Sequence, residues 1–94
     1  MWTIFAYPAQ LADEAGLPQD AEARRYLAAL QSRGLPVAVW RYPQIPDTVY
    51  FACPIEEHLR VYEATLELER QGEFPTEFAS RKCEELFARI AADR

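Results

Sequence analysis

The sequence predicts an α+β fold: a single domain over residues 1–94, in which a small three-stranded mixed sheet carries helices on at least one face. Three observations lead to this prediction. Half of the residues are hydrophobic, which is enough for one packed core. Segments rich in β-branched and aromatic residues alternate with segments that have apolar residues at helical spacing. Glycines followed by prolines separate these segments, and the resulting order is βα(α)ββαα.

The glycines mark the ends of helices. Gly16 and Gly34 each precede an apolar residue and then a proline, and Gly72 is a looser version of the same pattern. Glycine adopts the left-handed conformation that stops a helix, and the proline cannot continue it. Because all three glycines have this role, none is left for a glycine-rich loop that binds nucleotide phosphates.

Each segment between these stops predicts one or two elements. A high content of Val, Trp, Tyr and Phe predicts three strands, at 2–7, 37–42 and 48–53. Helical periodicity predicts four helices: 8–15, 18 or 20 to 33, 54–71 and 75–92. The second of these helices has one apolar face, formed by Ala23, Tyr26, Leu27 and Leu30.

The second and third strands predict a hairpin with a five-residue loop at 43–47. This register gives three cross-strand pairs: Trp40 with Tyr50, Val39 with Phe51, and Tyr42 with Thr48. A right-handed connection through the helices makes the first and second strands point the same way. The first strand pairs either with the second or with the third, and the latter arrangement is a split β-α-β unit.

Alternation along the strands divides the side chains between two faces of the sheet. One face is suited to a helix-covered core: Ile4, Val37, Val39, Val49, Phe51 and Cys53. The other face carries five aromatic residues, which are the candidate partner-binding residues: Phe5, Tyr7, Trp40, Tyr42 and Tyr50. Exposed apolar patches mark interaction sites, and Tyr and Trp are common interface anchors. The alternative is that the last helix covers this face and completes a closed core.

The helix at 54–71 has a wide apolar arc with a charged stripe opposite. Four residues form the arc and three widen it: Ile55, Leu59, Tyr62 and Leu66, then Val61, Thr65 and Leu68. Such an arc predicts burial against both the sheet and a neighbouring helix. Solvation explains the charged stripe most simply, and the alternative is an acidic contact face for a basic partner, formed by Glu56, Glu63 and Glu67.

The last helix has a narrower apolar stripe, with Phe87 beside it: Ala79, Cys83, Leu86 and Ile90. Phe78 falls outside this stripe. It either packs on Phe74 or is exposed for a partner. Cys83, in the middle of the stripe, is predicted to be a small core residue.

Cys53 and His58 are the one candidate pair for catalysis. Cys53 ends a strand and Pro54 is predicted to open a helix, which places the thiol at the N-cap, where the helix dipole lowers its pKa. Glu56 and Glu57 oppose that effect, and the sequence shows no third catalytic group. We therefore expect no catalytic residue, with a Cys53–His58 nucleophile as the remaining alternative. The two cysteines and single histidine lack the spacing of a disulfide framework or a metal site, so no metal or cofactor is predicted.

Charge and composition narrow the classes of function. Ten basic and 15 acidic side chains give a net charge of −5, which disfavours direct contact with nucleic acid. No signal peptide and no apolar run of about 20 residues is visible, so we expect a cytoplasmic protein without a membrane partner. Fifteen alanines, nine arginines and no asparagine are typical of a GC-rich bacterial genome, or of a phage that infects such a host.

These observations favour a small acidic module that binds another protein and regulates or inhibits it without catalysis. A phage-encoded inhibitor of host defence, of the anti-CRISPR type, is an example of such a protein. The alternative is a small-molecule-binding or isomerase-like enzyme with a pocket against the aromatic sheet face. A homodimer in which the two aromatic faces bury each other is compatible with either function.

Overall fold

The computed structural model describes residues 1–92, which form three strands and three α-helices. The strands are β1 (Trp2–Pro8), β2 (Ala38–Tyr42) and β3 (Ile45–Cys53). The helices are α1 (Ala21–Ser32), α2 (His58–Arg70) and α3 (Phe78–Ala92), and single 3₁₀ turns cover Ala9–Leu11 and Ile55–Glu57. The predicted α+β class is confirmed, and the predicted helix at 8–15 is wrong.

The segment that replaces this first predicted helix is a turn held by Asp13. Its carboxylate accepts hydrogen bonds from the backbone N–H groups of Ala15 at 2.9 Å and Leu17 at 3.0 Å. Tyr7 donates its hydroxyl to the carbonyl of Gly16, whose φ of +85° is left-handed. An aspartate that satisfies neighbouring N–H groups stabilises a turn where a helix would otherwise continue.

β3 lies between the other two strands and pairs antiparallel with both, in the order β1-β3-β2. β1 and β2 consequently point the same way, as the right-handed connection predicts, without being neighbours. This is the split β-α-β arrangement. The sheet is antiparallel rather than mixed, because β3 separates the two strands that run in the same direction.

The hairpin between β2 and β3 has a shorter loop than predicted. Two of the three predicted cross-strand pairs are confirmed: Val39–Phe51 and Trp40–Tyr50. Tyr42 pairs with Ile45 instead of Thr48, which leaves only residues 43–44 in the loop. Proline has no N–H group to donate to a neighbouring strand. Pro46 is tolerated in β3 because the pairing with β1 ends at Thr48, so β3 has a neighbour on only one side at Pro46.

A β-bulge at Ile4 determines which side chains of β1 face the core. The register with β3 shifts between Thr3 and Phe5, so Ile4 is an extra residue. One extra residue reverses the alternation of the strand, and it turns Phe5 and Tyr7 towards the helices. Both are buried, with exposed fractions of 2% and 0%. The prediction that these two aromatic residues share an open face with Trp40 is therefore wrong.

The core lies between one face of the sheet and the helices. α1 buries the four residues that its periodicity predicts: Ala23, Tyr26, Leu27 and Leu30. α2 and α3 bury six more: Val61, Thr65, Leu68, Phe78, Lys82 and Leu86. The rings of Phe74 and Phe78 lie 4.9 Å apart, which confirms that Phe78 packs on Phe74.

α3 packs along β1, and an ion-pair network joins it to α1. The side chain of Lys82 is only 6% exposed, and its ammonium lies 3.3 Å from Asp20, 3.4 Å from Glu22 and 2.8 Å from Glu85. Asp20 also caps α1 by accepting the N–H of Ala23 at 3.0 Å. These contacts fix α3 at the edge of the sheet opposite to β2.

Candidate functional site

The structure brings together three of the five predicted partner-binding residues. Trp40 is 44% exposed and Tyr42 is 37% exposed, while Tyr50 is partly buried. The rings of Tyr42 and Tyr50 meet edge to face with centroids 5.3 Å apart, and Trp40 lies opposite Tyr50 in the sheet. We call Trp40, Tyr42 and Tyr50 the hairpin patch. Because α3 packs along β1 at the other edge, it does not bury this patch.

A second exposed apolar surface was not predicted, and it lies on α2 and the turn before it. Ile55, Leu59 and Tyr62 are 52%, 66% and 48% exposed. The buried side of the helix is formed instead by Val61 and Leu68 with Thr65. Only this second stripe packs in the core, so the prediction that the whole apolar arc is buried is wrong. We call Ile55, Leu59, Tyr62 and the partly buried Leu66 the α2 surface.

The width of the arc is the signal that could have revealed the α2 surface. Seven apolar or small residues on one helix of this length span more than one packing face can cover. The sheet has only three strands, and buried residues of α1 already share the core with them. The α2 surface is therefore the part of the apolar arc that has no core residues to pack against.

The α2 surface continues into the first residues of β1. The ring of Trp2 meets that of Tyr62 edge to face at 6.3 Å and lies 6.1 Å from the ring of His58. His58 is fixed in turn by a 2.7 Å hydrogen bond between its Nδ1 and the carbonyl of Ile55. Aromatic side chains thus connect the helix to the start of the sheet.

A groove of about 480 Å³ opens beside these residues, between α2 and the start of α3. We call it the α2–α3 groove. Its apolar lining comes from Trp2, Ile4, Tyr26, Tyr62, Leu66 and Ala79, and its polar lining from Thr3, Thr65, Glu69, Thr76, Glu77 and Ser80. The carboxylate of Glu69 accepts the backbone N–H of Glu77 at 2.8 Å, which joins α2 to the residue before α3.

Negative charge surrounds this groove and the α2 surface. Residues 55–77 contain seven carboxylates and two arginines, so this segment alone accounts for the net charge of −5. Both arginines are paired, Arg60 with Glu57 at 3.3 Å and Arg70 with Glu67 at 2.9 Å. Five carboxylates of the segment have no ion pair within residues 1–92: Glu56, Glu63, Glu69, Glu73 and Glu77. Of the predicted acidic contact residues, Glu56 and Glu63 are thus exposed and unpaired, and Glu67 is partly neutralised.

The structure does not place Cys53 at a helix N-cap. Pro54 and a 3₁₀ turn follow it, and α2 begins only at His58. Burial raises the pKa of the Cys53 thiol, and the nearby carboxylate of Glu57 raises it further. A fully buried thiol with a raised pKa is a poor nucleophile, so burial and the nearby negative charge do not favour Cys53 as the nucleophile of a Cys53–His58 pair. The pKa of Cys83 is also raised, again mainly by burial.

Residues 1–92 contain no group of three or more His, Cys, Asp or Glu side chains that could hold a metal ion. No helix in this part of the chain is long and apolar enough to cross a bilayer. Comparisons with protein-family models, curated proteins and solved structures find no match to the chain.

Proposed function

We propose that the chain is a small non-enzymatic module that binds another protein and regulates or inhibits it by contact. The observation that carries this proposal is the α2 surface, an exposed apolar face on a well-packed helix. Leu59 is 66% exposed and Ile55 is 52% exposed, although both lie within two turns of fully buried core residues. Single exposed apolar side chains are common, but a contiguous row of them on one helix is typical of an interaction site.

The hairpin patch is a second contact surface in this proposal. Trp40 and two tyrosines present large rings on the β2–β3 hairpin, and such residues contribute most of the energy of many interfaces. The acidity of residues 55–77 favours a basic protein as the partner, because complementary charges speed and orient association. The composition of the chain supports a narrower proposal, a cytoplasmic regulator encoded by a GC-rich bacterium or its phage, such as an inhibitor of host defence.

A ligand-binding protein is the second candidate, because the α2–α3 groove has a volume typical of small-molecule sites. This groove lies beside α2 and α3, away from the hairpin patch. It is therefore not the pocket expected for an isomerase-like enzyme, which would lie against the aromatic sheet face. The candidate predicts a rise in melting temperature with a ligand that fills the groove. Thermal-shift measurements with a panel of metabolites would detect that rise.

The proposed function is tested by partner capture with matched variants. The tagged chain is used to isolate a partner from the cells that encode it, and the purified partner is then titrated by calorimetry. Leu59→Asp tests the α2 surface, Trp40→Asp tests the hairpin patch, and Phe87→Asp is the control because Phe87 is exposed on α3 outside both surfaces.

We expect at least one of the two surface variants to weaken binding by about tenfold or more, as removal of a strong interface anchor does. The Phe87→Asp variant should bind with unchanged affinity, and circular dichroism should show that all three variants are folded. Unchanged binding by folded Leu59→Asp and Trp40→Asp would refute the proposal.

A further inference from the structure

We propose that the α2 surface and the α2–α3 groove together bind a basic amphipathic α-helix of a partner protein. This inference rests on the proposed function, because it gives the chemistry of the partner that the α2 surface takes. It follows from the shape of the α2 surface, from the charge around it and from the irregular edge of the neighbouring sheet.

The apolar residues form a continuous strip that matches one face of a helix. Ile55, Leu59, Tyr62 and Leu66 follow one another at spacings of three and four residues, and Tyr62 and Leu66 also line the groove. Leu59 to Leu66 span roughly 10 Å at the α-helical rise, and Ile55 in the preceding 3₁₀ turn lengthens the strip to about three turns of a partner helix packed along it. Anchors at i, i+3, i+4 and i+7 are the usual way in which a helix binds such a groove.

The carboxylates lie on both sides of this strip. Glu63 follows Tyr62 on the outer flank of α2, and Glu69 and Glu77 line the groove on the inner flank. Unlike Glu57 and Glu67, these three have no cationic partner within residues 1–92. An apolar strip with unpaired carboxylates along both margins is complementary to a helix whose apolar face is bordered by Lys and Arg.

Addition of a partner strand to β1 is disfavoured by the local structure. Strand addition needs a regular row of free N–H and C=O groups at a sheet edge. The bulge at Ile4 interrupts that row, and α3 packs along the same strand. The edge beside the groove is therefore too short and irregular for a partner strand, whereas the helical strip is continuous.

The same charges disfavour other occupants. Nucleic acid and anionic lipid surfaces carry phosphates, which the carboxylates of residues 55–77 repel. A second copy of this chain would bring two such segments together, each with a net charge of −5. A basic helix instead brings Lys and Arg side chains to the unpaired carboxylates, and its apolar face covers the exposed side chains of the α2 surface.

The test uses a synthetic probe, an amidated peptide of about 18 Leu and Lys residues with leucine at i, i+3, i+4 and i+7, long enough for five helical turns. A scrambled peptide of the same composition has the same charge but no apolar face. The protein carries Trp40→Phe, which leaves Trp2 at the groove as the only tryptophan. Binding is followed by the fluorescence of Trp2 and by calorimetry.

We expect the amphipathic peptide to bind at least about tenfold more tightly than the scrambled one, because only the former presents an apolar face to the strip. Tyr62→Ser should weaken binding of the amphipathic peptide by about tenfold, while Phe87→Ser, at an exposed aromatic residue of α3 outside both surfaces, should leave it unchanged. Binding should also weaken as the salt concentration rises from about 50 to 500 mM, since exposed charges are screened over that range.

Two double variants separate the local charges from the net charge. Glu63→Gln with Glu77→Gln removes two carboxylates beside the strip, and Glu14→Gln with Asp47→Asn removes two exposed carboxylates elsewhere. Both pairs change the net charge by the same amount. We expect a loss of about fivefold or more for the first pair and less than twofold for the second, because screening limits the effect of distant charges.

Equal binding of the amphipathic and scrambled peptides, or equal losses in the two double variants, would overturn this inference. Neither result would contradict the proposed function, which is tested separately by the affinities of Leu59→Asp and Trp40→Asp for the captured partner. A captured partner that requires Leu59 but contacts it with an acidic or uncharged segment would likewise overturn the inference and support the proposed function.

Discussion

Glu77 is the one non-glycine residue with positive φ among residues 1–92, at 59°. A side chain in the left-handed region costs about 1 kcal/mol or more. Its backbone N–H donates to the carboxylate of Glu69 at 2.8 Å, and any residue can make this bond. We therefore expect Glu77→Gly to raise the free energy of unfolding by roughly 0.5–1 kcal/mol, since the relief of strain exceeds the entropy cost of glycine. Urea denaturation measures the change.

The control is Glu77→Ala, which removes the same carboxylate but keeps a Cβ in the left-handed conformation. This variant should be no more stable than the wild type. If Glu77→Gly and Glu77→Ala were stabilised equally, the gain would come from the lost charge and the strain argument would fail.

Lys82 is a residue whose burial the sequence does not indicate, because lysines are mostly solvated. It lies against Asp20 and Glu85 with 6% of its side chain exposed. Lys82→Met keeps the length of the side chain but leaves Asp20 with only the more distant guanidinium of Arg89, at 3.9 Å. We expect a loss of roughly 2 kcal/mol in unfolding free energy, less than for a fully buried pair because Glu85 is half exposed. Arg81→Met, at an exposed neighbouring position, should cost little in the same denaturation experiment.

The contribution of Lys82 to the free energy of unfolding should decrease at high pH. Burial lowers the pKa of its ammonium, but hydrogen bonds to Glu85 and Asp20 outweigh burial and leave the pKa raised. A cation with a raised folded-state pKa stabilises fully below its unfolded value, about 10.4, and the stabilisation is lost as the pH rises through the folded value. The stability difference between wild type and Lys82→Met should thus be constant from pH 8 to about 10 and shrink above it. A difference that grew with pH would contradict this assignment.

At the scale of elements, α2 combines two apolar stripes with different roles. Leu68 is fully buried and Leu59 is 66% exposed, although both belong to the arc that the sequence shows. We expect Leu68→Ala to cost about 3 kcal/mol through lost packing and a residual cavity. Leu59→Ala should change the unfolding free energy by less than about 0.5 kcal/mol. A cost above about 1.5 kcal/mol for Leu59→Ala would show that the α2 surface serves folding, and thermal or urea unfolding distinguishes the cases.

The elements that the sequence predicts well are those defined by a local pattern. α1 has a single apolar face and a clear stop at Gly34, and its four buried residues follow directly from the 3.6-residue period. The Trp40–Tyr50 and Val39–Phe51 pairs also follow from local alternation. A hairpin loop is harder to predict, since Pro46 is tolerated only because β1 ends before reaching it.

The elements that the sequence predicts poorly depend on partners far away in the chain. The bulge at Ile4 has no signature of its own, yet it decides that Phe5 and Tyr7 are core residues and removes them from the candidate site. The choice between the two stripes of α2 depends on how much of the sheet α1 leaves uncovered. Periodicity identifies both stripes as apolar but contains no information on which one meets the core.

At the scale of the whole molecule, the charge is distributed unevenly. Residues 55–77 carry a net charge of −5, which equals that of the whole chain, so the rest of the protein has no net charge. Self-association through α2 is opposed by this repulsion. The hairpin patch has no such barrier, but its three side chains fall well short of the roughly 800 Å² per partner that a stable interface buries. We therefore expect a monomer at low micromolar concentration, despite the two exposed apolar surfaces.

Light scattering coupled to size-exclusion chromatography tests this expectation, with 10.8 kDa as the mass of the monomer. The measurement is repeated with Trp40→Asp and Leu59→Asp, and at a salt concentration of about 1 M, where the repulsion between acidic segments is screened. A monomer in every case leaves both surfaces open to a partner. A dimer that Trp40→Asp dissociates would contradict the expectation and assign the hairpin patch to a homodimer, so that the α2 surface alone would face the partner. A dimer that forms only at high salt and that Leu59→Asp dissociates would show that charge, and not shape, keeps two copies of the α2 surface apart.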